Sequence, residues 1–498
     1  MELQFNKNDI SCMRIVVDRQ ISQEVTQEVR LLEGMPDIGR ILGCWGQPVI
    51  RGKQWRMDEM SASGGVMAWA LYEPEDGSSL QILETWMPFQ GKWDLPETQH
   101  DGTMILRLAL SCMDCRSTSA RKIMFRCCVD LAAEGLEPVK VSVYEPDNVP
   151  EDVQLLKRTY PMELPKEAGE KAFEIQDSWN IPGLSDPLSK IVYQQVVPVL
   201  TEYKVMADKL VFRGNCLCKL LYMDSEGNLR SEGAEFPVSQ FIELSDTYGN
   251  YANATVDLLL TGMEMEKNET GITEIKCGLA AQYQIFDREM ITVVEDAYST
   301  DRESNIEKTM LELPARLDVR KDQIPYRHQI SAPGSHLLDT AVHWGNPTVQ
   351  HSADGAEIGL SAFANVLYMD EENRISGTQG QWSDSRMLGA DHNTRVCARL
   401  TPEQIVTLQD PEGAALSANM QMEVSVHSTE SIPMLTGMTL GDVQQKDEGR
   451  PSVILRKLGN DKIWELAKEY HTTVEAIEIA NAISDQPEAE RILLIPVP

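Results

Sequence analysis

An internal repeat constrains the fold of this chain more than any other sequence feature. The stretches "KLLYMDSEGNL" at residues 219–229 and "NVLYMDEENRI" at residues 365–375 are nearly the same, and "MAWALYEPEDGSSL" is a more diverged version upstream. Each contains one tyrosine after an apolar run, and these tyrosines lie 150 and 146 residues apart: Tyr72, Tyr222 and Tyr368. At 498 residues the chain is too long for a single hydrophobic core. The spacing predicts three tandem units of about 150 residues, each large enough to bury its own core.

Two further landmarks repeat at the same spacing. One is a proline that precedes each tyrosine by 24, 24 and 21 residues: Pro48, Pro198 and Pro347. The other is an apolar residue ten positions before each proline: Ile38, Leu188 and Leu337. Three landmarks that keep their order and spacing through three copies favour an internal repeat over coincidence.

The repeated units have the residue pattern of β-structure. In "TEIKCGLAAQYQIF" the apolar residues alternate from Ile275 to Ile285, and "ALSANMQMEVSVHS" does the same from Leu416 to Val426. Alternation with one polar face is typical of antiparallel strands with one buried face. The Tyr-Met-Asp stretches fit hairpins, in which an acidic turn joins two strands. The sequence therefore predicts a mainly β protein built from three antiparallel, sandwich-like repeats.

The C-terminal tail has a different periodicity. In "DKIWELAKEY", Ile463, Leu466, Ala467 and Tyr470 recur at helical spacing. "HTTVEAIEIAN" follows with the pattern of a capping box from Thr472 to Glu475. Apolar "SVILRKL" precedes these segments and "RILLIPVP" follows them. The order predicts a small α+β module of strand, helix, helix and strand. The resulting organisation has six parts: an N-terminal segment (1–35), three repeats (36–160, 161–310 and 311–440), a polar linker (441–450) and the module (451–498).

The tail resembles a LysM module. The residues that carry the resemblance run from Gly459 through Trp464, Tyr470 and Asn481 to Ile495-Pro496. Two residues depart from the family pattern: Asn460 stands between the usual Gly and Asp, and Glu490 replaces a glycine. Both positions flank the groove in which family members hold N-acetylglucosamine chains.

The repeats resemble the SPOCS domain of proteins associated with the spore coat and cortex. The first copy carries the opening Pro-Asp-Ile at residues 36–38, and "GLSDPLSKIV" and "GSHLLDTAV" match it less closely. An apolar-Leu-Tyr strand end recurs at residues 71–72, 221–222 and 367–368. Tandem SPOCS domains before a C-terminal LysM module form the architecture of a clostridial family of spore-coat morphogenetic proteins.

This resemblance implies a non-enzymatic adaptor in spore-coat assembly. The adaptor would act in the mother-cell cytosol, at the outer surface of the forespore. Its LysM-like tail would dock on a SpoIVA-type coat ATPase, and other coat proteins are further candidate partners. The alternative is a LysM-mediated peptidoglycan-binding protein of the cell wall or spore cortex. A wall-modifying enzyme ranks last, because the repeats leave little chain for a catalytic domain.

Trp464 is the residue of greatest interest in the tail. It lies one step round the helix from the apolar face, so the indole is either an exposed anchor at the rim or a residue packed under the linker. In the first interpretation it frames a docking groove together with residues on either side. The predicted partner-binding set is Leu458, Gly459, Asn460, Asp461, Trp464, Asn481, Ala482 and Ile483.

Composition limits the other function classes. The chain carries 45 basic and 77 acidic residues, a formal charge of −32, which disfavours binding to nucleic acid or to anionic membrane surfaces. It has no apolar run long enough to span a membrane and no signal-peptide pattern, so its ten cysteines are expected to be reduced in a cytosol.

The sequence offers little support for a catalytic or metal-binding site. Cys112, Cys115, Cys127 and Cys128 have the spacing of a possible zinc site, but buried cysteines on adjacent strands are the favoured interpretation. The acidic turns lack the spacing of calcium loops, and nucleophile-elbow and phosphate-loop motifs are missing from the sequence. We therefore expect no cofactor, no metal and no enzymatic activity.

Overall fold

A computed structural model describes residues 1–95, 102–269, 271–332, 336–352, 355–391, 394–410, 413–443, 452–457, 462–483 and 492–497. These residues are mainly β, and their strands pair in antiparallel sheets. The prediction of a mainly β, antiparallel protein is confirmed. Among the described residues, helix is confined to one 3₁₀ turn, Pro182–Leu184, and two short α-helices near the C-terminus.

The first unit, residues 4–147, has six strands in two three-stranded sheets. The strands are β1 (Gln4–Arg30), β2 (Ile38–Trp55), β3 (Glu59–Pro74), β4 (Gln81–Asp94), β5 (Thr103–Ser119) and β6 (Lys122–Asp147). The middle strands pair in the order β2-β3-β4, whereas the first strand joins the last two in the order β1-β6-β5. Residues from both sheets share one hydrophobic core.

The second and third units, residues 153–299 and 302–443, repeat this pairing pattern. The second unit has β7 (Val153–Trp179), β8 (Lys190–Met206), β9 (Lys209–Met223), β10 (Leu229–Glu243), β11 (Asn253–Lys267) and β12 (Thr273–Ser299). The third has β13 (Arg302–Ile330), β14 (His336–Trp344), β15 (Thr348–Ser352), β16 (Gly355–Met369), β17 (Ile375–Leu388), β18 (Thr394–Asp410) and β19 (Gly413–Val443). The long sheets have the orders β11-β12-β7 and β13-β19-β18. In the third unit two short strands, β14 and β15, both pair with β16.

The boundaries between the units, as strand pairing defines them, differ from the boundaries that the repeat landmarks predicted. The predicted N-terminal segment, residues 1–35, contains β1, which pairs with β6 from Gln4 opposite Asp147 to Arg30 opposite Lys122. The second and third units likewise begin with long strands, at residues 153 and 302, rather than at 161 and 311. The reason is that the repeated proline and tyrosine motifs lie in or between the middle strands of each unit, so they carry no information about the long outer strands.

The local patterns that predicted strands and hairpins are confirmed. Every second residue of β12 from Ile275 to Ile285 is buried. The two Tyr-Met-Asp stretches end β9 and β16, which pair with the following strands β10 and β17. At both hairpin tips the aspartate after the methionine, Asp224 or Asp370, accepts backbone N–H groups of the turn. These bonds lower the pKa of both carboxyl groups.

The three units meet at a common junction. Pro48, Pro198 and Pro347, which are spaced by about 150 residues, line the same cavity of about 260 Å³. Around this junction, buried side chains link each unit to the next. Gln47 Oε1 accepts from the Val196 amide at 3.0 Å, and Gln195 Nε2 donates to the Val342 carbonyl at 3.1 Å. Asn365 Nδ2 closes the cycle by donating to the Cys44 carbonyl at 2.7 Å.

Apolar residues from all three units also pack together at the junction. Trp45 of the first unit stacks on Tyr193 of the second, with ring centroids 5.1 Å apart and an interplanar angle of 6°. Ala341 and Leu367 of the third unit belong to the same buried cluster. The sequence predicted an array of separate rigid units, each with its own core. The structure differs, because part of each unit's apolar surface is buried only by its neighbours.

A second shared core lies at the far ends of the long strands, which we call the stem. Its members come from β1, β6, β7, β12, β13 and β19: Cys12, Val143, Met162, Leu164, Ile291, Val293, Leu311, Leu313, Ile432 and Met434. A further cluster combines Leu3, just before β1, with residues of β7, β12 and β19 that include Val294 and Met438. Strands of 26 to 31 residues are longer than their own unit's core requires, and their excess length forms the stem.

Buried charges join the units between the two shared cores. Glu134 on β6 is 2% exposed and pairs with Arg107 at 3.0 Å and with Arg395 of the third unit at 2.9 Å. Arg399 binds Asp257 of the second unit at 2.8 Å. Burial opposes the ionisation of Glu134, but the surrounding guanidinium groups outweigh burial and hold its pKa well below the usual value. All three units therefore contribute charges to one network.

Candidate interaction site in the C-terminal module

The C-terminal module consists of the elements β20 (Val453–Lys457), α1 (Ile463–Glu469), α2 (Val474–Asn481) and β21 (Ile492–Pro496). The two strands pair antiparallel, with Val453 opposite Pro496 and Lys457 opposite Ile492. The predicted order of strand, helix, helix and strand is therefore observed. The helices cover one face of the strand pair, and Ile463, Leu466 and Ala467 are buried as their helical spacing predicted.

The second helix is capped one residue later than the sequence predicted. The N-cap is Thr473, whose hydroxyl accepts from the Ala476 amide at 3.0 Å. Thr472 is buried, and its carbonyl accepts a hydrogen bond from the Tyr298 hydroxyl at 2.7 Å. The predicted cap is wrong by one residue, because α2 begins at Val474 and the hydroxyl that reaches the amide of the first turn is that of Thr473. At the other end, Ala482 terminates the helix in the left-handed conformation, at φ 49°.

Trp464 is buried against the stem end of β12. Its Nε1 donates to Asp296 Oδ2 at 2.9 Å, and its ring packs edge-on to Tyr298 with centroids 4.9 Å apart. The indole is 9% exposed. This placement corrects the interpretation of Trp464 as an exposed anchor at the rim of a groove. The amphipathic indole instead has a hydrogen-bond acceptor and an apolar wall within the same chain.

Asp296 is the polar centre of the contact between the module and β12. Its carboxylate accepts from Lys468 Nζ of the module at 2.8 and 2.9 Å and pairs with Lys308 of β13 at 2.8 Å. Burial opposes its ionisation, but the hydrogen bonds from Lys308, Lys468 and Trp464 outweigh burial and lower the pKa of Asp296. Burial also raises the pKa of Tyr298, so this tyrosine stays neutral and donates to the module.

Some of the other predicted partner-binding residues lie outside the described part of the chain, and most of the rest make contacts within the module. Leu458, Gly459, Asn460 and Asp461 lie outside the described residues. Asn481 ties α2 to β21, because its side chain donates to the carbonyl of Leu494 at 2.6 Å and accepts from the Leu494 amide at 2.7 Å. Ile483 packs on the module core, and Ala482 is exposed. The structure therefore brings Trp464, Asn481 and Ile483 into internal contacts.

The outer face of the β20–β21 pair is apolar and exposed. Its members are Val453 (48% exposed), Leu455 (69%), Ile492 (64%) and Leu494 (40%). Leu455 and Leu494 are directly opposite one another, so the four side chains form one continuous patch, which we call the outer face. Exposed apolar patches of this kind mark interaction surfaces. The sequence does not reveal this patch, because residues 453–455 and 492–495 are continuous apolar runs in which no alternation is visible.

The four clustered cysteines of the first unit do not converge on one point. Cys127 and Cys115 face the core, whereas Cys112 and Cys128 are outside that core. Within the described residues, no group of three or more histidine, cysteine or acidic side chains has a metal-binding arrangement. No helix there has both the length and the apolarity needed to cross a membrane.

The fold and the module define a mainly β protein of three interlocked units with a small α+β module seated on them. Residues 187–267 match the protein family described as SipL, SPOCS domain. The matched range holds strands β8 to β11 of the second unit, and the match indicates a sporulation-related protein similar to that family. No curated protein and no solved structure matches the chain.

The match adds one finding that the sequence motifs did not anticipate. It falls on the second copy, whose opening "GLSDPLSKIV" keeps the SPOCS pattern less well than the first copy does. The assignment of the first and third units to the same family, and of the module to the LysM family, stays a prediction from their residues.

Proposed function

We propose that this chain is a non-enzymatic adaptor in spore-envelope assembly and that its C-terminal module docks on a SpoIVA-type coat ATPase. The observation that carries the proposal is the outer face of the β20–β21 pair. Four large apolar side chains are exposed on a module of fewer than 50 residues. Water-exposed aliphatic surface of this kind is costly to maintain in a monomer, and covering it with a partner would release that cost.

The way in which the module is attached to β12 supports the same proposal. Trp464, Lys468 and Tyr298 hold the helical side of the module against β12, which leaves the strand side accessible. A rigid attachment at the stem would present the outer face in a fixed orientation. Fixed presentation lowers the entropy that is lost on binding, and the three interlocked units would then act as a rigid support.

The family match supports the sporulation context, and the resemblance of the tail to LysM modules supports the choice of partner. The SipL SPOCS match lies in the second unit, so the partner of the module rests on the LysM resemblance and on the outer face. The same resemblance would also allow peptidoglycan binding, which the experiment below tests separately.

The experiment compares the full-length chain with two variants that each place a charge at an exposed leucine. Leu455→Asp changes the outer face, and Leu32→Asp is the matched control, because Leu32 is 71% exposed on the first unit. Each protein is titrated against a purified SpoIVA-type ATPase and against insoluble peptidoglycan. We expect Leu455→Asp to weaken ATPase binding about tenfold or more and Leu32→Asp to leave it unchanged.

Two results would overturn the proposal. One is ATPase binding of equal strength in both variants, which would show that the outer face is not the docking surface. The other is binding to peptidoglycan with no binding to the ATPase. Circular dichroism of each variant confirms that the fold is retained.

A further inference from the structure

The β5–β6 pair of the first unit carries two cysteines as direct cross-strand neighbours. Cys112 on β5 lies opposite Cys128 on β6 in the antiparallel register. Both side chains are partly exposed, whereas Cys127 is fully buried on the core side of the sheet. Side chains that are opposite one another in adjacent strands project from the same face of a sheet. The two thiols are therefore neighbours on the outer side.

The sulfur atoms of this pair are already close. Cys112 Sγ and Cys128 Sγ lie 2.6 Å apart. A disulfide has a sulfur–sulfur bond of about 2.05 Å, so closure requires a movement of about half an ångström and no change in strand register. Cys115 and Cys127 do not share this relationship, because Cys115 is opposite Phe125 and Cys127 is opposite Met113.

We propose that Cys112 and Cys128 are a redox-modification site, at which a low-molecular-weight disulfide converts the two thiols into a cross-strand disulfide. One cysteine, as its thiolate, attacks the small disulfide, forms a mixed disulfide and releases one small thiol. The second cysteine then attacks the protein sulfur of that mixed disulfide and releases the second small thiol. The protein loses two electrons and two protons, and the two released thiols carry them.

The environment of Cys112 determines how the exchange reaction depends on pH. Burial and the neighbouring Cys128 thiol raise the pKa of Cys112 to about 12, so this thiol is protonated at neutral pH. The thiolate is the attacking form, so the exchange is expected to accelerate as the pH is raised. The loop between the cysteines spans 16 residues, and closing it restrains the unfolded chain. The oxidised protein is expected to melt at a higher temperature than the reduced protein.

The test uses the full-length chain, equilibrated with oxidised glutathione, then denatured, alkylated and digested with trypsin. Cleavage places Cys112 and Cys115 on the peptide 108–116 and Cys127 and Cys128 on the peptide 127–140. The mass of the linked peptides alone does not show which thiols are joined. Four single serine variants resolve this, at Cys112, Cys115, Cys127 and Cys128.

We expect one disulfide per chain and a fall in free thiols from ten to eight. The linked peptide should persist in Cys115→Ser and Cys127→Ser, disappear in Cys112→Ser and Cys128→Ser, and be lost on addition of dithiothreitol. The inference is overturned if all ten thiols stay free in the oxidising buffer. It is also overturned if the linkage survives in Cys112→Ser or Cys128→Ser.

Discussion

Trp464 donates a hydrogen bond from its indole Nε1 to the carboxylate of Asp296, a residue 168 positions earlier in the chain, at 2.9 Å. The same carboxylate binds Lys468 of the module and Lys308 of β13. One acidic residue of the second unit therefore holds the C-terminal module and links it to the third unit.

Asp296→Asn is expected to loosen the module without unfolding the three units. The amide keeps a hydrogen-bond acceptor for Trp464 but loses both ion pairs with lysine. Because both lysines are more than a third exposed, water can solvate their charges in the variant, and the expected cost is about 1–3 kcal/mol. Hydrogen exchange of the α1 amides should therefore accelerate in the variant, while exchange in the β8–β9 pair stays unchanged. The matched control is Asp318→Asn, because the Asp318 pair with Arg320 is largely exposed. Equal exchange of α1 in all three proteins would contradict this role for Asp296.

Acid is expected to weaken the same contact. The folded pKa of Asp296 lies below its ordinary value of 3.8, so its stabilising contribution is fully present above that value. The contribution is lost as the pH falls below 3.8 through the lowered folded pKa. The tryptophan fluorescence of the wild-type protein should change in this pH range as the module is released. A Trp464→Phe variant, which lacks this indole, should not show that part of the change. If the module of the wild-type protein is released above pH 5, protonation of Asp296 is not the cause of the release.

Glu134→Gln is expected to destabilise the junction of the units. Glu134 is almost fully buried between Arg107 and Arg395, and neutralising it leaves two buried guanidinium groups without their shared anion. The expected loss is about 3–5 kcal/mol, seen as a lower midpoint of denaturant unfolding. Glu202→Gln serves as the control, because the exposed Glu202–Arg213 pair is worth about 1 kcal/mol or less. A similar midpoint for the two variants would show that the buried network contributes little.

His343→Gln is expected to flatten the dependence of stability on pH. Burial lowers the pKa of His343 to about 4 from 6.5. Between these values the unfolded chain binds a proton that the folded chain does not, so stability falls as the pH drops from 6.5 to 4. The total effect is about 3 kcal/mol. Unfolding midpoints at pH 7.5 and pH 5 should therefore differ less in the variant. Burial lowers the pKa of His427 to about 3, so part of the slope should remain.

Gly377→Ala is expected to open the contact between the first and third units. A Cβ atom at this position of β17 would overlap the carbonyl oxygen of Leu42 on β2. Backbone atoms cannot yield as a flexible side chain can, so the strands must separate. We expect a lower melting temperature and faster hydrogen exchange in β2. Gly389→Ala is the matched control, because a Cβ there meets nothing within 4 Å. Equal melting temperatures for the two variants would contradict the close approach.

The sequence by itself determined the local structure of several strands, of two hairpin tips and of the helices of the module. Alternating apolar residues predicted the strands, as in β12, and the aspartates after Tyr-Met predicted hairpin tips at Asp224 and Asp370. Helical spacing predicted which residues of α1 are buried. These features depend on neighbours a few residues apart, so a single sequence contains all the information that they require.

Only the tertiary structure decided how the repeats meet and where the module sits. The landmark prolines gave the period but not the fact that Pro48, Pro198 and Pro347 line one cavity. Periodicity showed that β12 has an apolar face, but it did not show that the far end of this strand shares the stem with the third unit. Contacts such as Trp464 with Asp296 join residues that are far apart in the chain, and their partners are selected by packing geometry rather than by any local pattern. The burial of Trp464 and the exposure of the outer face are therefore properties of the assembled chain.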